Sequence, residues 1–300
     1  MKGITIIKPM ALTDAMLVSS TVPEADYAVW AAGTTYALAA RVIKNHVIYE
    51  SLAASNVDND PELAGTTKWV AVSATNRWKL FDLSSSSQTA QSTSMSYTLR
   101  PGQFVTSVAA VNLTDVTSVR VQMISDAFGL VYDETLSRPR IQPEANWWSW
   151  FYGKRTEPLA SYYTNLPSFL DAQIIVTFTG GAAMAVGTLI LGTSSQWGKC
   201  VTVGVSLGIK DYSRKDVNTY GDTVLVKRRY STQVEVPLAL ETAQTDAFFN
   251  FVAGMRATPA LWIVSDEFES TTVYGYYTSF KVLIQYRDLS DCTLNLESLA

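Results

Sequence analysis

Between Ser96 and Gly192 the chain alternates apolar and polar positions in short runs. Tyr97 and Leu99 alternate in the first, which ends at Pro101-Gly102, and Val119, Val121 and Met123 share one side of the run 118–125. Runs at 103–111, 128–136, 172–179 and 186–192 keep the same period, with Gly180-Gly181 between the last two. A period of two sends successive side chains to opposite faces of a strand. Short strands at this spacing, punctuated by glycine and proline, predict a β-sandwich of jelly-roll type over residues 71–199.

The pattern changes after residue 200. Apolar residues Phe248, Phe251, Val252 and Met255 recur at i, i+3, i+4 and i+7, which predicts one amphipathic helix over about 242–257, stopped by Thr258-Pro259. Around it lie strand-like runs at 200–209, 223–230, 232–236, 260–264, 272–286 and 292–296, with a polar loop at 211–222. One helix on an antiparallel sheet makes residues 200–300 an α+β domain. Alternation along 272–286 puts Tyr274, Tyr276 and Phe280 on one face, with Tyr286 further along it and Tyr277 opposite.

Residues 27–70 read as a small aromatic β module. The runs 41–43 and 47–49 flank Lys44-Asn45-His46 as a hairpin, and the polar stretch 55–67 is loop. About forty residues is close to the lower limit for an independent core, so this module should lean on its neighbour. Trp69, Trp78 and Phe81, followed by Asp82 and a serine run, mark the joint between the two. Residues 1–26 read as an N-terminal arm, with a short strand at Ile4, Ile6 and Ile7 stopped by Pro9. It is either a strap across its own chain or a reach to a neighbouring subunit. The fold class is thus mainly β, with three modules and an arm.

The densest aromatic stretch is Trp147-Trp148-Ser149-Trp150-Phe151-Tyr152, followed by Tyr162-Tyr163. Under strand alternation these rings cannot all face one core, so one set should point outward to a ligand or another module.

Composition narrows the chemistry. With 47% hydrophobic and 17% charged residues in 300, the chain can bury a sizeable core. A net charge of −4 argues against a nucleic-acid groove, which needs a clustered basic face. No apolar run approaches the roughly 18 residues of a membrane span, and the N-terminus lacks the apolar core of a signal peptide. Cys200 and Cys292 form neither a disulfide framework nor a zinc spacing, which fits synthesis in a reducing cytoplasm. His46 is the single histidine and sits in an expected turn, which disfavours a Ser-His-Asp or Cys-His site and excludes a metal site of several histidines. No glycine-rich phosphate loop is present. Asp126, Asp133, Glu134 and Glu144 are the carboxylates that could pair for glycoside hydrolysis, although the ordinary reading of each is a solvated surface group. Asp82 with the serine run is either a plain loop or a structural calcium loop, and too few oxygen ligands can be assigned to favour calcium. No catalytic residue, metal or cofactor is expected.

Three resemblances follow from motifs. Trp30, Tyr36, Val42, Tyr49, Pro61 and Trp69 fall in an order similar to the small chitin-binding-type modules appended to chitinases, with Ala39 where that family carries a turn glycine. In that family exposed aromatics stack on sugar rings, which implies Trp30, Tyr49 and Trp69 as glycan-binding candidates; the same rings are also the module's main core material. Trp69 through Asn76-Arg77-Trp78, Phe81 and Asp82 resembles the entry of galactose-binding-like jelly rolls. The whole-chain order resembles a family of tail-associated structural proteins of tailed bacteriophages. It is carried by Ser20–Glu24, Tyr27–Tyr36, Ile48–Leu52, Thr75–Asp82, Ile209–Lys215, Gly254–Ile263 and Val273–Tyr277. This resemblance implies a virion protein of the tail or baseplate that contacts other tail proteins and copies of itself. Its carbohydrate-binding-type modules, with Trp147, Trp148 and Trp150 as further candidates, would meet host surface glycans. From charge and hydropathy, no nucleic-acid partner and no membrane insertion are expected. A receptor-binding protein and, behind it, a glycan-cleaving enzyme are the alternatives.

Overall fold

The computed structural model describes residues 3–63, 65, 67–82, 84–138, 147–152, 160–201, 204–217, 219–265, 268–284 and 287–299. Its elements in chain order begin with β1 (Ile4–Pro9) and β2 (Leu17–Ser20). Next come β3 (Arg41–Lys44), β4 (Val47–Ser51) and β5 (Trp69–Ala74), then β6 (Thr89–Ala90), β7 (Ser94–Leu99), β8 (Ser107–Ser125) and β9 (Gly129–Ser137). After α1 (Trp147–Tyr152) follow β10 (Ala160–Tyr163), β11 (Gln173–Trp197), β12 (Cys200–Val201), β13 (Ser206–Asp211), β14 (Arg214–Val217), β15 (Thr223–Val226) and β16 (Tyr230–Glu241). Helix α2 (Thr245–Ala253) precedes β17 (Ala260–Ile263), β18 (Thr272–Leu283) and β19 (Leu289–Ser298). The protein is mainly β, with large antiparallel sheets in a sandwich-like arrangement and a small α+β part.

Two long strands, β8 and β11, pair along most of their length and carry the sandwich. Their register shifts on either side of Gly180, where a Cβ would sit 2.1 Å from the Asp115 carbonyl oxygen, so only glycine lets the backbones approach this closely. Side chains from β7, β8 and β11 bury Met95, Tyr97, Val119, Val121, Met123, Val176 and Phe178 in the first core. The alternation of the sequence is the cause, since each of these residues lies two positions from the next along its strand.

Strand β1 joins the two halves of the main sheet. It pairs antiparallel with β11 on one side and with β17 on the other, and the order continues through β18, β19 and β16. The first residues are therefore a strap across their own chain: Ile4, Ile6 and Ile7 are all fully buried inside a sheet. No break in pairing separates residues on either side of position 199, because β11 passes directly to β1 and β17.

Helix α2 covers one face of the C-terminal strands, with Phe248, Val252 and, just past its end, Met255 in a second core with Trp262, Leu294 and Leu296. The helix is shorter than the periodicity predicts, because residues 242–244 wind as a 3-10 turn and the helix ends at Ala253 with Gly254 as its C-cap. Strand β18 corrects the expected tyrosine faces. A bulge between Tyr277 and Ser279 shifts the register by one, so Tyr277 joins Phe280 and Val282 against the helix-covered core while Tyr274 packs on the opposite face. The strand ends at Leu283, and Tyr286 lies outside the described residues. The stretch expected as a loop at 211–222 contains β14, which pairs with β15 as a separate two-stranded ribbon.

Residues 147–152 form a helix, against the strand expected there. The rings meet at helical spacings: Trp147 with Trp150 and Phe151, and Trp148 with Tyr152 at 4.4 Å between centroids. Rings three and four positions apart meet on a helix surface, whereas a strand would split them between two faces.

Candidate functional site

The small module is a three-stranded antiparallel sheet of β3, β4 and β5. Asn45 and His46 both take positive φ, as a two-residue hairpin turn with right-handed strand twist requires. Ala39 also lies at φ 63, a left-handed position formed here on alanine where glycine would carry no Cβ penalty. The polar stretch after β4 is held by Asn56, whose buried side-chain amide donates to Ser51 Oγ at 3.0 Å and to the Lys68 carbonyl at 3.2 Å.

Trp69 is the floor of this module. It is 4% exposed, its Nε1 donates to the Asn59 carbonyl at 2.8 Å, and Tyr36 meets it edge-on at 5.3 Å. As a sugar-stacking face it is therefore unavailable, which corrects the expectation drawn from the resemblance. A ring with most of its surface removed from water serves as core in a module this small.

Trp30 and Tyr49 are half-buried and sit in a charged cluster that the sequence reading did not assemble. Lys44 Nζ lies 4.6 Å from the Trp30 ring centroid, 2.5 Å from Asp60 Oδ1 and 3.8 Å from Glu62 Oε2. Asn45 Nδ2 donates to Glu62 at 2.8 Å. The hydrogen bond from Lys44 holds the Asp60 carboxyl below its ordinary range. Burial, with Glu62 nearby, pushes the Tyr49 phenol up. The cluster offers an aromatic face, an ammonium, two carboxylates and an amide at one end of a hairpin. Lys44 lies over the Trp30 ring as a cation–π contact.

Trp147, Trp148 and Trp150 stand on α1 and are exposed, the first two at 79% and 72%. Phe151 and Tyr152 are exposed beside them. The structure thus does not gather the six predicted glycan-binding residues into one site. Trp30 and Tyr49 belong to the module, Trp69 to its core, and the other three to a separate aromatic helix.

His46 lies at the joint. Its Nδ1 donates to Glu24 Oε1 at 2.8 Å, its Nε2 is 3.2 Å from Asp14 Oδ1, and its ring stacks on Trp78 at 4.3 Å. Trp78 meets Phe81 edge-on, and Phe81 meets Tyr97 of the sandwich core. Thr75 Oγ1 donates to the same Glu24 oxygen at 2.7 Å, so the hydroxyl is turned away from the imidazole that would activate it. This is a structural tie between the first residues, the module and the sandwich. Glu24 and Asp14 were invisible as its partners in sequence because they are brought in by β1 and β2.

The carboxylates that could have served glycoside hydrolysis are paired elsewhere. Asp126 binds Arg100, Asp133 binds Arg120 at 2.8 Å, and Glu134 accepts from Tyr132. The Arg120 hydrogen bond lowers the Asp133 carboxyl below its ordinary range. Glu144 lies outside the described residues. Asp82 accepts from the Ser84 amide at 2.9 Å and from Ser87 Oγ at 2.6 Å, the geometry of a plain loop that satisfies its own carboxylate. Among the described residues no group of three His, Cys, Asp or Glu could hold a metal ion, and no helix is long and apolar enough to cross a membrane. No protein-family model, curated protein or solved structure matches the chain.

Proposed function

We propose that the protein is a structural component of a bacteriophage tail or baseplate that binds other tail proteins and copies of itself. The observation that carries this reading is α1, where five large aromatic side chains stand exposed in six positions and pack mainly on one another. Exposed apolar surface concentrated in this way marks an interaction site. The pairing of the described histidine and acidic groups within the chain supports the same reading, because His46, Asp126, Asp133 and Glu134 all serve structural contacts. The motif order along the chain supplies the tail assignment. The test is quantitative mass spectrometry of purified tail particles from the phage that encodes the chain. A fixed copy number relative to the tail-tube subunit is expected; absence from intact particles sinks the reading.

A second reading, recognition of host surface glycans, is favoured by the Trp30–Lys44–Asp60 cluster. An indole face beside paired polar groups is the chemistry that stacks on a sugar ring and bonds its hydroxyls. A glycan array with the intact protein and its Trp30→Ala variant tests this. Loss of a specific signal with unchanged folding is expected, and equal signals from both proteins remove the reading.

A further inference from the structure

The main sheet has a second apolar face that no described helix covers. Along β8 and β11, Val108, Ala110, Leu189 and Leu191 enter the sandwich core while Ala109, Val111 and Ile190 face the other way. Along β17, Trp262 packs under α2 while Leu261 and Ile263 point to the opposite side, where Ile7 of β1 joins them. Ala160 and Tyr274 pack at the margin of this group. Side-chain alternation on a sheet buried on both sides produces this third cluster.

A cleft of about 810 Å³ lies over that face, bounded by Val111 and Ala160 on one side and by Leu207 and Ile209 on the other. The volume falls in the range of sites that take small molecules, about 300–1,000 Å³. Among the described residues that line it none is charged; the polar groups are hydroxyls and amides. Two of those hydroxyls are anomalous. Thr188 Oγ1 and Tyr274 Oη are buried without a hydrogen-bond partner, and Thr188 is 1% exposed. Buried polar atoms almost always find partners, so two orphans in the wall of one cleft call for an explanation.

The geometry points to a binding site for an uncharged amphipathic small molecule. Its aliphatic or aromatic body lies on Val111, Leu261 and Ile209, and its hydroxyl, ether or carbonyl groups meet Thr188 and Tyr274. A charged ligand is disfavoured because the described residues of the lining hold no counter-charge to offset its desolvation. The floor itself offers a peptide no backbone partner, because its groups are already spent in the ladders of β1, β8, β11, β17 and β18. Both hydroxyl oxygens are sealed behind the lining, so binding includes a small side-chain rearrangement of the wall.

The test uses the full chain and n-octyl β-D-glucoside below its micellar concentration, followed by isothermal calorimetry. Saturable binding at one molecule per chain is expected. Thr188→Val and Tyr274→Phe each remove one orphan hydroxyl and should weaken binding about three- to tenfold, the worth of one hydrogen bond. Neither should lower the melting temperature, because each deletes an unmet polar group. Ala160→Phe should block the cleft and abolish binding. Absence of saturable binding, or binding indifferent to all three substitutions, overturns the proposal. So does a dimer in sedimentation that Ala160→Phe dissociates, since the face would then be covered by a second copy. If one hydroxyl variant fails to fold, the other and Ala160→Phe still decide the matter.

Discussion

Glu297 should make the C-terminal sheet acid-labile, and the effect can be sized from its surroundings. The residue is 4% exposed on β19, and its carboxylate accepts hydrogen bonds from Tyr212 Oη at 2.8 Å, Lys210 Nζ at 3.0 Å and Ser231 Oγ at 3.0 Å. Burial pushes its pKa up, but these donors and Gln233 outweigh that and bring it from the ordinary 4.5 to about 2. Because the folded value lies below the unfolded one, the stabilisation is fully present above about 4.5 and is lost as the pH falls through about 2. At about 1.36 kcal/mol per pKa unit the difference amounts to about 3 kcal/mol. Lys210 is 46% exposed on its side chain, and solvent screening of that partner draws the figure toward about 2 kcal/mol. Glu297→Gln keeps the shape and removes the charge, so urea unfolding at pH 7 should show a loss of about 2 kcal/mol. The gap between wild type and variant should shrink to less than half by pH 3, since protonation then does to the wild type what the substitution did. Taking the difference between the two proteins cancels the other carboxylates that titrate in this range. An equal gap at pH 3 and pH 7 would refute the reasoning, because the loss would then come from packing and not from charge.

Other substitutions test other parts of the structure. Trp69→Ala should cost about 3–5 kcal/mol in chemical unfolding, because the ring is the floor of the small module; a loss below about 1 kcal/mol would return Trp69 to the glycan candidates. Ala39→Gly should stabilise by about 0.5–1 kcal/mol, since glycine removes the left-handed penalty of about 1–2 kcal/mol and gives part of it back as chain entropy; a lower melting temperature would show that the turn relaxes without strain. Trp148→Ala should leave the melting temperature within a degree or two, as the ring is exposed, while weakening particle incorporation or glycan binding; a large stability loss would place the ring in a core instead.

Fold class was legible because the strands are amphipathic, and amphipathic strands write their pattern into the sequence. The residues at 118–125 and 248–255 face one core each, and their periods predicted the elements found there. Strand β1 was less legible, since Ile6 and Ile7 serve opposite faces and leave no alternation to read. The bulge at Thr278 was hidden for the same reason that bulges are generally hidden: one extra residue inverts the faces without changing composition. The aromatic run 147–152 was read as a strand because short apolar runs do not distinguish strand from helix. At the candidate site the aromatics were identifiable by type, but Lys44, Asp60 and Glu62 come together across a loop closure that spacing does not encode. The orphan hydroxyls of Thr188 and Tyr274 carried no sequence signal at all, because lacking a partner is a property of the assembled wall.

The position of β1 between β11 and β17 has a consequence for how the molecule is made. Its two neighbours in the sheet lie far downstream, at Gly192–Trp197 and Leu261–Ile263. At about 5–20 residues per second a ribosome needs on the order of 10–50 s to deliver the second of them. Until β11 arrives, a strand whose Ile4 and Ile6 share one face and whose Ile7 serves the other has emerged with no edge to join. Pairing across so long a stretch is entropically slow, and an unpaired apolar strand is prone to join the wrong neighbour. Synthesis therefore leaves a vulnerable window that closes only when β17 arrives, and the yield of soluble protein should depend more on chaperone supply and growth temperature than on the stability of the finished sheet.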